Sequence, residues 1–90
     1  MATPSFYYVY VLLSFKDNKF YIGSTPDLKR RLKQHSSGQV DSTKNRLPVK
    51  VIFYEAYLNK YDAFRREDYL KSSKGKTALR NMLKEHLKTR

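Results

Sequence analysis

The chain has 90 residues, of which 40% are hydrophobic and none is cysteine, and 19 Lys and Arg against 8 Asp and Glu give it a formal charge of +11. This length predicts one small domain over residues 1–90 with a thin core. The lack of cysteine excludes a disulfide framework and a thiolate zinc site. No apolar run approaches the roughly 20 residues of a membrane span, and the N-terminus does not resemble a signal peptide. We therefore expect a soluble, cytoplasmic protein with no membrane contact.

The excess of positive charge favours a polyanionic partner, and nucleic acid is the most common one. The basic residues fall on segments with helical periodicity and are not gathered in a tail. The alternative is a basic protein that uses its charge only for solubility. We favour contact with nucleic acid because charge on helix faces can follow a phosphate backbone.

Apolar periodicity and turn residues predict six elements in the order β-β-α-β-α-α. The strands lie at about 6–13, 19–24 and 49–57, and the helices at about 26–37, 60–73 and 78–87. Thr25, Asn59 and Thr77 are the expected helix caps, and Gly38 and Gly75 the expected helix breaks. The predicted fold class is α+β, with helices packed against a three-stranded, largely antiparallel sheet.

The first two strands are predicted to form a hairpin. Asp17 and Asn18 tolerate the positive φ of tight turns, and a two-residue loop there would place Tyr10 opposite Thr25. Residues that face each other across an antiparallel pair project to the same side. Tyr10 and Tyr21 would therefore share one face of the sheet, which we take as a candidate working surface.

Two charged residues occupy positions where the helical pattern predicts burial. Arg31 lies on the apolar stripe of the first helix and Glu67 on that of the second. A buried ion is costly unless it is paired or bound to a ligand. Three interpretations follow: a structural Arg31–Glu67 salt bridge, two side chains at the edge of the stripe that reach water, or a site where both groups meet a charged ligand. His35 lies one turn beyond Arg31, without a second ligand at metal-binding spacing. Gly23 inside the second strand indicates a bulge or a close backbone approach.

These residues resemble the motifs of the GIY-YIG nucleases. Tyr8-Val9-Tyr10, then ten residues, then Tyr21-Ile22-Gly23 match the paired motifs that name the family, although the first Gly and Ile are Tyr and Val here. Arg31, His35 and Glu67 match the family's helical arginine, a histidine of several members, and its metal-binding glutamate. The late asparagine of some members has only Asn81 as a weak match. The resemblance covers about residues 7–75, as in the small stand-alone bacterial members.

The resemblance implies a metal-dependent endonuclease that hydrolyses phosphodiester bonds in DNA, including branched or damaged structures. Glu67 would hold Mg²⁺ or Mn²⁺, Arg31 would stabilise charge on the phosphate, and Tyr10 or Tyr21 would orient or deprotonate the attacking water. The sequence leaves open which tyrosine is the base. Gly23 and His35 would support the site.

Five further basic residues are candidate phosphate contacts, which position nucleic acid without reading its sequence. They are Lys29, Arg30, Lys33, Lys44 and Arg46. The rival interpretation is a basic nucleic-acid-binding module of the same fold that does not cleave, and a third is a ribosome- or RNA-associated protein. RNA therefore stays open beside DNA. A domain this short has little room for a separate specificity element, so we also expect a protein partner that supplies specificity.

Overall fold

A computed structural model describes residues 5–89. It contains three strands and four helices: β1 (Tyr7–Ser14), β2 (Phe20–Thr25), α1 (Leu28–Ser36), β3 (Val49–Tyr57), α2 (Lys60–Lys71), α3 (Ser73–Met82) and α4 (Lys84–Lys88). The predicted α+β fold with a three-stranded antiparallel sheet is confirmed. The predicted last helix is divided into α3 and α4. Within residues 5–89 no helix is long and apolar enough to cross a membrane.

The central strand of the sheet is β1, with β2 and β3 on either side. Val9, Val11 and Leu13 point to one face of β1, where they form the core with Leu70 of α2 and Leu79 of α3. The alternate residues of β1 point to the opposite face, toward α1. Helices on both faces explain why β1 is apolar at odd and even positions alike.

The strand β2 forms a free edge of the sheet, and its side chains alternate between the two faces. Tyr21 and Gly23 project toward α1, on the face of the sheet that Tyr10 shares. Phe20 and Ser24 project toward α2 and α3: Phe20 joins the core and Ser24 donates to Glu67 of α2. Groups from both faces can therefore meet around this single strand.

Four residues, 15–18, lie between the hydrogen-bonded Ser14 and Lys19 that close the hairpin, and not the two predicted. Ser14 N–H donates to the Lys19 carbonyl at 3.0 Å, so β1 leaves the hairpin two residues earlier than the predicted two-residue loop would require. Ser14 Oγ accepts the N–H groups of Lys16 and Asp17 at 3.1 and 3.3 Å, and Asn18 has a φ of 60°. These local bonds stabilise the longer loop, because they satisfy its backbone donors.

The longer loop moves the register of the hairpin by two residues. Tyr10 pairs with Gly23 and not with Thr25, and Leu12 pairs with Tyr21 and not with Gly23. The predicted register was therefore wrong. A shift of two residues keeps every side chain on its face, whereas a shift of one would reverse it. Tyr10 and Tyr21 accordingly share a face, as predicted.

The predicted helix caps have mixed outcomes. Asn59 caps α2, as predicted, by accepting the Tyr61 N–H at 2.8 Å. For α1 the cap is Asp27 and not Thr25, because the Asp27 carboxylate accepts the Arg30 N–H at 3.1 Å. Thr25 Oγ1 accepts the Asp27 N–H instead, so it orders the approach to the helix. Gly38 follows the end of α1 with a φ of 79°, as a helix break should.

The predicted break at Gly75 and cap at Thr77 were wrong. The helix α3 begins at Ser73, and its cap is Ser72, whose hydroxyl accepts the Gly75 N–H at 3.1 Å. Gly75 lies in the first turn and is buried, and a Cβ there would lie 2.6 Å from the Cα of Leu70. Glycine is present because α2 and α3 approach closely at this point, and not because the helix ends.

Substituting Gly75 tests this packing role. Gly75→Ala raises intrinsic helix propensity, yet we expect it to lower the free energy of unfolding by about 1–3 kcal/mol because the new methyl group overlaps α2. Urea denaturation followed by circular dichroism measures the change. Thr77→Ala, at an exposed position of the same helix, is the control and should cost less than about 1 kcal/mol. A Gly75→Ala variant as stable as the wild type would contradict the close approach.

Candidate active site

A cavity of about 820 Å³ lies over the free edge of β2. It is lined from the α1 side of the sheet and from the α2 and α3 side. Six residues singled out by the sequence all line it: Tyr10, Tyr21, Gly23, Arg31, His35 and Glu67. The volume lies within the roughly 300–1,000 Å³ of typical ligand sites. The structure thus brings together side chains that are up to 57 positions apart, from Tyr10 to Glu67.

The hydroxyl of Tyr10 connects two of these groups. It lies 2.9 Å from Nε2 of His35, and Arg31 Nε donates to it at 3.4 Å. The Tyr10 side chain is only 3% exposed. Its ring packs directly on Gly23, where a Cβ would lie 2.6 Å from the Tyr10 Cζ. Gly23 therefore provides room for the Tyr10 ring, and the β1–β2 pairing continues through it without a bulge.

His35, one turn beyond Arg31 on α1, is buried, with 4% exposure. Its Nδ1 lies 2.8 Å from the Thr43 hydroxyl, so both ring nitrogens have partners. Burial, together with the nearby Arg31 charge, lowers the pKa of His35 to about 4. The imidazole is therefore neutral at pH 7, with one nitrogen as donor and the other as acceptor. It fixes the Tyr10 hydroxyl beside Arg31 without adding a charge.

Tyr21 is held by the hairpin loop and by the segment before β3. Its hydroxyl donates to Asp17 Oδ2 at 3.0 Å and accepts from Arg46 Nε at 3.2 Å. Arg46 Nε also lies 3.2 Å from Asp17 Oδ2. Desolvation opposes the ionised form of Asp17, but hydrogen bonds from the Lys19 N–H, Tyr21 and Ser14, with the Arg46 charge, outweigh it and lower the pKa of Asp17. Asp17 is thus an ionised acceptor for the Tyr21 hydroxyl.

The carboxylate of Glu67 faces the cavity from α2. Ser24 Oγ donates to its Oε1 at 2.6 Å, and Lys71 Nζ lies 2.9 Å from its Oε2. The Arg31–Glu67 salt bridge that we considered is therefore wrong for the described chain. Arg31 instead donates to Gln34 Oε1 at 3.2 Å and to Tyr10. These contacts hold the guanidinium and the carboxylate in place separately, with the cavity between them.

The residues around Glu67 fit one hard divalent cation. A carboxylate and a neighbouring hydroxyl are oxygen donors, as Mg²⁺ and Mn²⁺ require. Within residues 5–89 no group of three or more His, Asp or Glu could hold a metal. An ion here would be held by Glu67 and would complete its coordination with water and substrate phosphate, as Mg²⁺ sites commonly do.

The five predicted phosphate contacts do not line this cavity. Lys29, Arg30 and Lys33 are exposed on α1. Lys44 lies 3.3 Å from Asp41, and Arg46 is engaged with Asp17 and Tyr21. Both cations of the segment before β3, Lys44 and Arg46, are therefore paired with carboxylates of the protein.

Four other cations line the cavity and were missed: Lys19, Lys71, Lys76 and Arg80. A signal was present in the sequence, because Lys71 lies four residues after Glu67 and Arg80 four after Lys76, so each pair shares a helix face. The break expected at Gly75 placed Lys76 outside a helix and concealed the second pair.

The chain is similar to a known catalytic domain and to several bacterial proteins. The GIY-YIG catalytic domain matches residues 6–81. The UPF0213 protein SAG0778 of Streptococcus agalactiae is 40% identical over 87 residues, which cover 96% of this chain and 94% of that protein. A UPF0213 protein of Lacticaseibacillus paracasei is 42% identical over 72 residues, 79% of each chain. The solution structure of the UPF0213 protein BH0048 from Bacillus halodurans matches with a TM-score of 0.54 and 35% identity, over 86% of this chain and 84% of that one.

The chain therefore belongs to the GIY-YIG family, as the sequence resemblance indicated. Among the relatives described, the UPF0213 protein SAG0778 matches the largest share of this chain, and the two proteins have nearly the same length. Family membership identifies a nuclease class.

The burial of neutral His35 predicts a pH dependence of stability. Its pKa is about 4 when folded and 6.5 in the unfolded chain, so the unfolded state binds more protons between these values. The contribution of neutral His35 to the free energy of unfolding is fully present above pH 6.5 and is lost as the pH falls toward 4. The loss is on the order of 3 kcal/mol. Urea denaturation across this range measures it.

In His35→Gln the free energy of unfolding should change less between pH 6.5 and pH 4 than in the wild type. The control is His86→Gln, at the exposed histidine of α4, which should show the same change as the wild type. The charged or titratable groups beside the His35 ring are Arg31 and Tyr10, and both remain in both variants. Carboxylates elsewhere contribute equally to all three proteins. Equal slopes for the wild type and His35→Gln would contradict the burial of a neutral ring.

Proposed function

We propose that this protein is a divalent-metal-dependent endonuclease that hydrolyses phosphodiester bonds in DNA. The observation that carries the proposal is the convergence of Arg31, Tyr21 and Glu67, from three different elements, on one cavity at the β2 edge. A guanidinium, a phenol and a carboxylate supply the three groups that phosphodiester hydrolysis needs: a phosphate ligand, a group that orients water, and a metal ligand. Membership of the GIY-YIG family supports this class of reaction.

Arg31 is proposed to stabilise the charge that develops on the phosphate. Its Nε and one terminal nitrogen are oriented by Tyr10 and Gln34. The remaining N–H groups can donate to phosphate oxygens as charge-assisted bonds, which are about twice as strong as neutral ones. Because the side chain is already oriented, little reorganisation is needed when charge develops.

Glu67 is proposed to hold the metal, with Mg²⁺ or Mn²⁺ as the ions suited to its oxygen donors. When bound, such an ion acts as a Lewis acid on the phosphate and the leaving oxygen. Ser24 fixes the carboxylate by donating to Oε1. Lys71 compensates the charge of Oε2 in the present arrangement.

Tyr21 is the tyrosine that we assign to the attacking water. Each hydroxyl has two protein partners, but Tyr21 is half-buried beside the cavity whereas Tyr10 is only 3% exposed, with its hydroxyl between His35 and Arg31. Tyr10 is therefore a positioning residue for Arg31. Tyr21 donates its proton toward the ionised Asp17, so its oxygen can accept a hydrogen bond from water.

The substrate that we propose includes branched or damaged DNA, and the location that we propose is the cytoplasm. We also propose that a protein partner supplies specificity for the substrate. RNA is the competing polyanion, and competition between RNA and DNA at fixed salt distinguishes the two.

One observation favours the alternative of a binding module without cleavage. Both oxygens of Glu67 already have partners in Ser24 and Lys71, so an incoming metal has to displace or share them. Salt-sensitive DNA binding with no cleavage, across Mg²⁺ and Mn²⁺ and across linear and branched substrates, would support that alternative and contradict the endonuclease.

Removing the proposed metal ligand gives the first test of function. Glu67→Ala should reduce cleavage of a labelled DNA substrate in Mg²⁺ or Mn²⁺ by about 10³-fold or more, because the metal supplies several kcal/mol of transition-state stabilisation. Binding of the substrate should persist. Glu85→Ala, which removes an exposed carboxylate paired with Lys88 on α4, is the control and should cleave like the wild type. Full cleavage by Glu67→Ala would exclude Glu67 as the ligand.

Comparing the two tyrosines tests their different assignments. Tyr21→Phe should lower the single-turnover rate by about 10²–10⁴-fold, the usual contribution of a general base, and should alter the pH profile of cleavage. Tyr10→Phe should keep that pH profile and lower the rate through a loosened Arg31, by about tenfold. The opposite pattern, with the pH profile changed only in Tyr10→Phe, would reverse the assignment.

A further inference from the structure

The cations that line the cavity differ in whether a protein group already neutralises them. Lys71 is paired with Glu67. Lys19, Lys76 and Arg80 line the same cavity, and none of their side chains makes an ion pair or hydrogen bond within residues 5–89. Lys44 and Arg46 differ from these three residues, because both lie outside the cavity and both are paired with a carboxylate. The free cations are concentrated on the side formed by the start of β2 and by α3.

Arg80 is held in a defined orientation by an aromatic ring. Its guanidinium lies over the ring of Phe20, 5.3 Å from the centroid. Phe20 is only 9% exposed and belongs to the hydrophobic core, so it is a fixed platform. A cation–π contact of this kind leaves the N–H groups of the guanidinium able to donate to a phosphate.

Lys76 adds a second positive charge one turn before Arg80. It is half-buried beside the cavity, unlike the exposed Lys74 two residues earlier. A partly desolvated ammonium group is unfavourable unless an anion approaches it. Lys19 directly precedes Phe20 on β2, so a third cation borders the same wall.

We infer that Lys19, Lys76 and Arg80 form a second phosphate subsite, which binds a backbone phosphate next to the one cleaved. This inference rests on the proposed endonuclease function and defines the path of its DNA. Arg31 would take the scissile phosphate from the α1 side, and the second subsite would hold the same strand on the α3 side, with Glu67 between them. The strand therefore crosses the free edge of β2 and does not run along the segment before β3.

The salt dependence of DNA binding tests this path, because each phosphate neutralised on a duplex contributes about 0.9 to the slope of log affinity against log salt. The full-length protein is titrated onto a short fluorescent DNA duplex in EDTA, over about 50–200 mM salt. EDTA prevents cleavage and removes any contribution from metal. Lys76→Gln with Arg80→Gln should reduce the slope by about 1.8 and weaken binding about tenfold or more at 100 mM salt.

The matched control is Lys74→Gln with Lys84→Gln, which removes two exposed charges from α3 and α4 that do not line the cavity. The control should change the slope by less than half as much. Arg80→Lys is the second variant: it keeps the charge and loses the planar fork, so the slope should stay and the affinity should fall a few-fold. It also tests the subsite if the double variant proves unfolded in a thermal scan.

The outcomes separate this inference from the function on which it rests. A wild-type slope and affinity in both Lys76→Gln/Arg80→Gln and Arg80→Lys would overturn the second subsite, while metal-dependent cleavage could still establish the nuclease. Equal losses in the control pair would also overturn it, because the effect would then be one of net charge. No binding of the wild type to DNA at low salt would overturn the DNA path and the proposed substrate together.

Discussion

The open edge of β2 is the feature on which the site depends. Successive side chains of a strand project to opposite faces, so Tyr21 faces α1 and Ser24 faces α2. Arg31 and Glu67 belong to helices on opposite faces of the sheet. They border one cavity because, within residues 5–89, no further strand covers β2. A fourth strand would separate them. Exposed edges invite unwanted pairing, and the cations around this edge oppose it.

The buried contacts beneath Arg31 show how the core serves the cavity. Tyr10 packs on Gly23 because that residue has no Cβ, and this places its hydroxyl between His35 and Arg31. Burying an imidazole costs desolvation, and hydrogen bonds on both nitrogens offset the cost. The ring has to be neutral, since a second cation beside Arg31 would be repelled. The stability of the core and the orientation of the phosphate ligand thus depend on the same contacts.

The sequence was sufficient for the element order and the α+β class, because hydrophobic periodicity reports these directly. The shared face of Tyr10 and Tyr21 was predicted correctly although the register was wrong, because the register error was two residues. It was not sufficient where side chains of one element decide the geometry of another. The hairpin register depends on hydrogen bonds of Ser14 inside the loop. The start of α3 depends on contact between Gly75 and α2, and a glycine at that spacing is equally typical of a helix break. The burial of His35 depends on the segment before β3, which has no periodicity.

The formal charge of +11 indicates a polyanionic partner. The distribution of paired and unpaired cations indicates where on the protein that partner would bind. An exposed ion pair contributes only about 0–1 kcal/mol to stability, so its main effect is to cancel charge locally. The cavity contains five cationic side chains and one carboxylate, Glu67. Such a field attracts phosphate and repels a free divalent ion. Under the proposed function, metal affinity therefore depends on the phosphates of the substrate, whose negative charge reverses the field. Metal and DNA would bind together, each strengthening the other by the same coupling free energy.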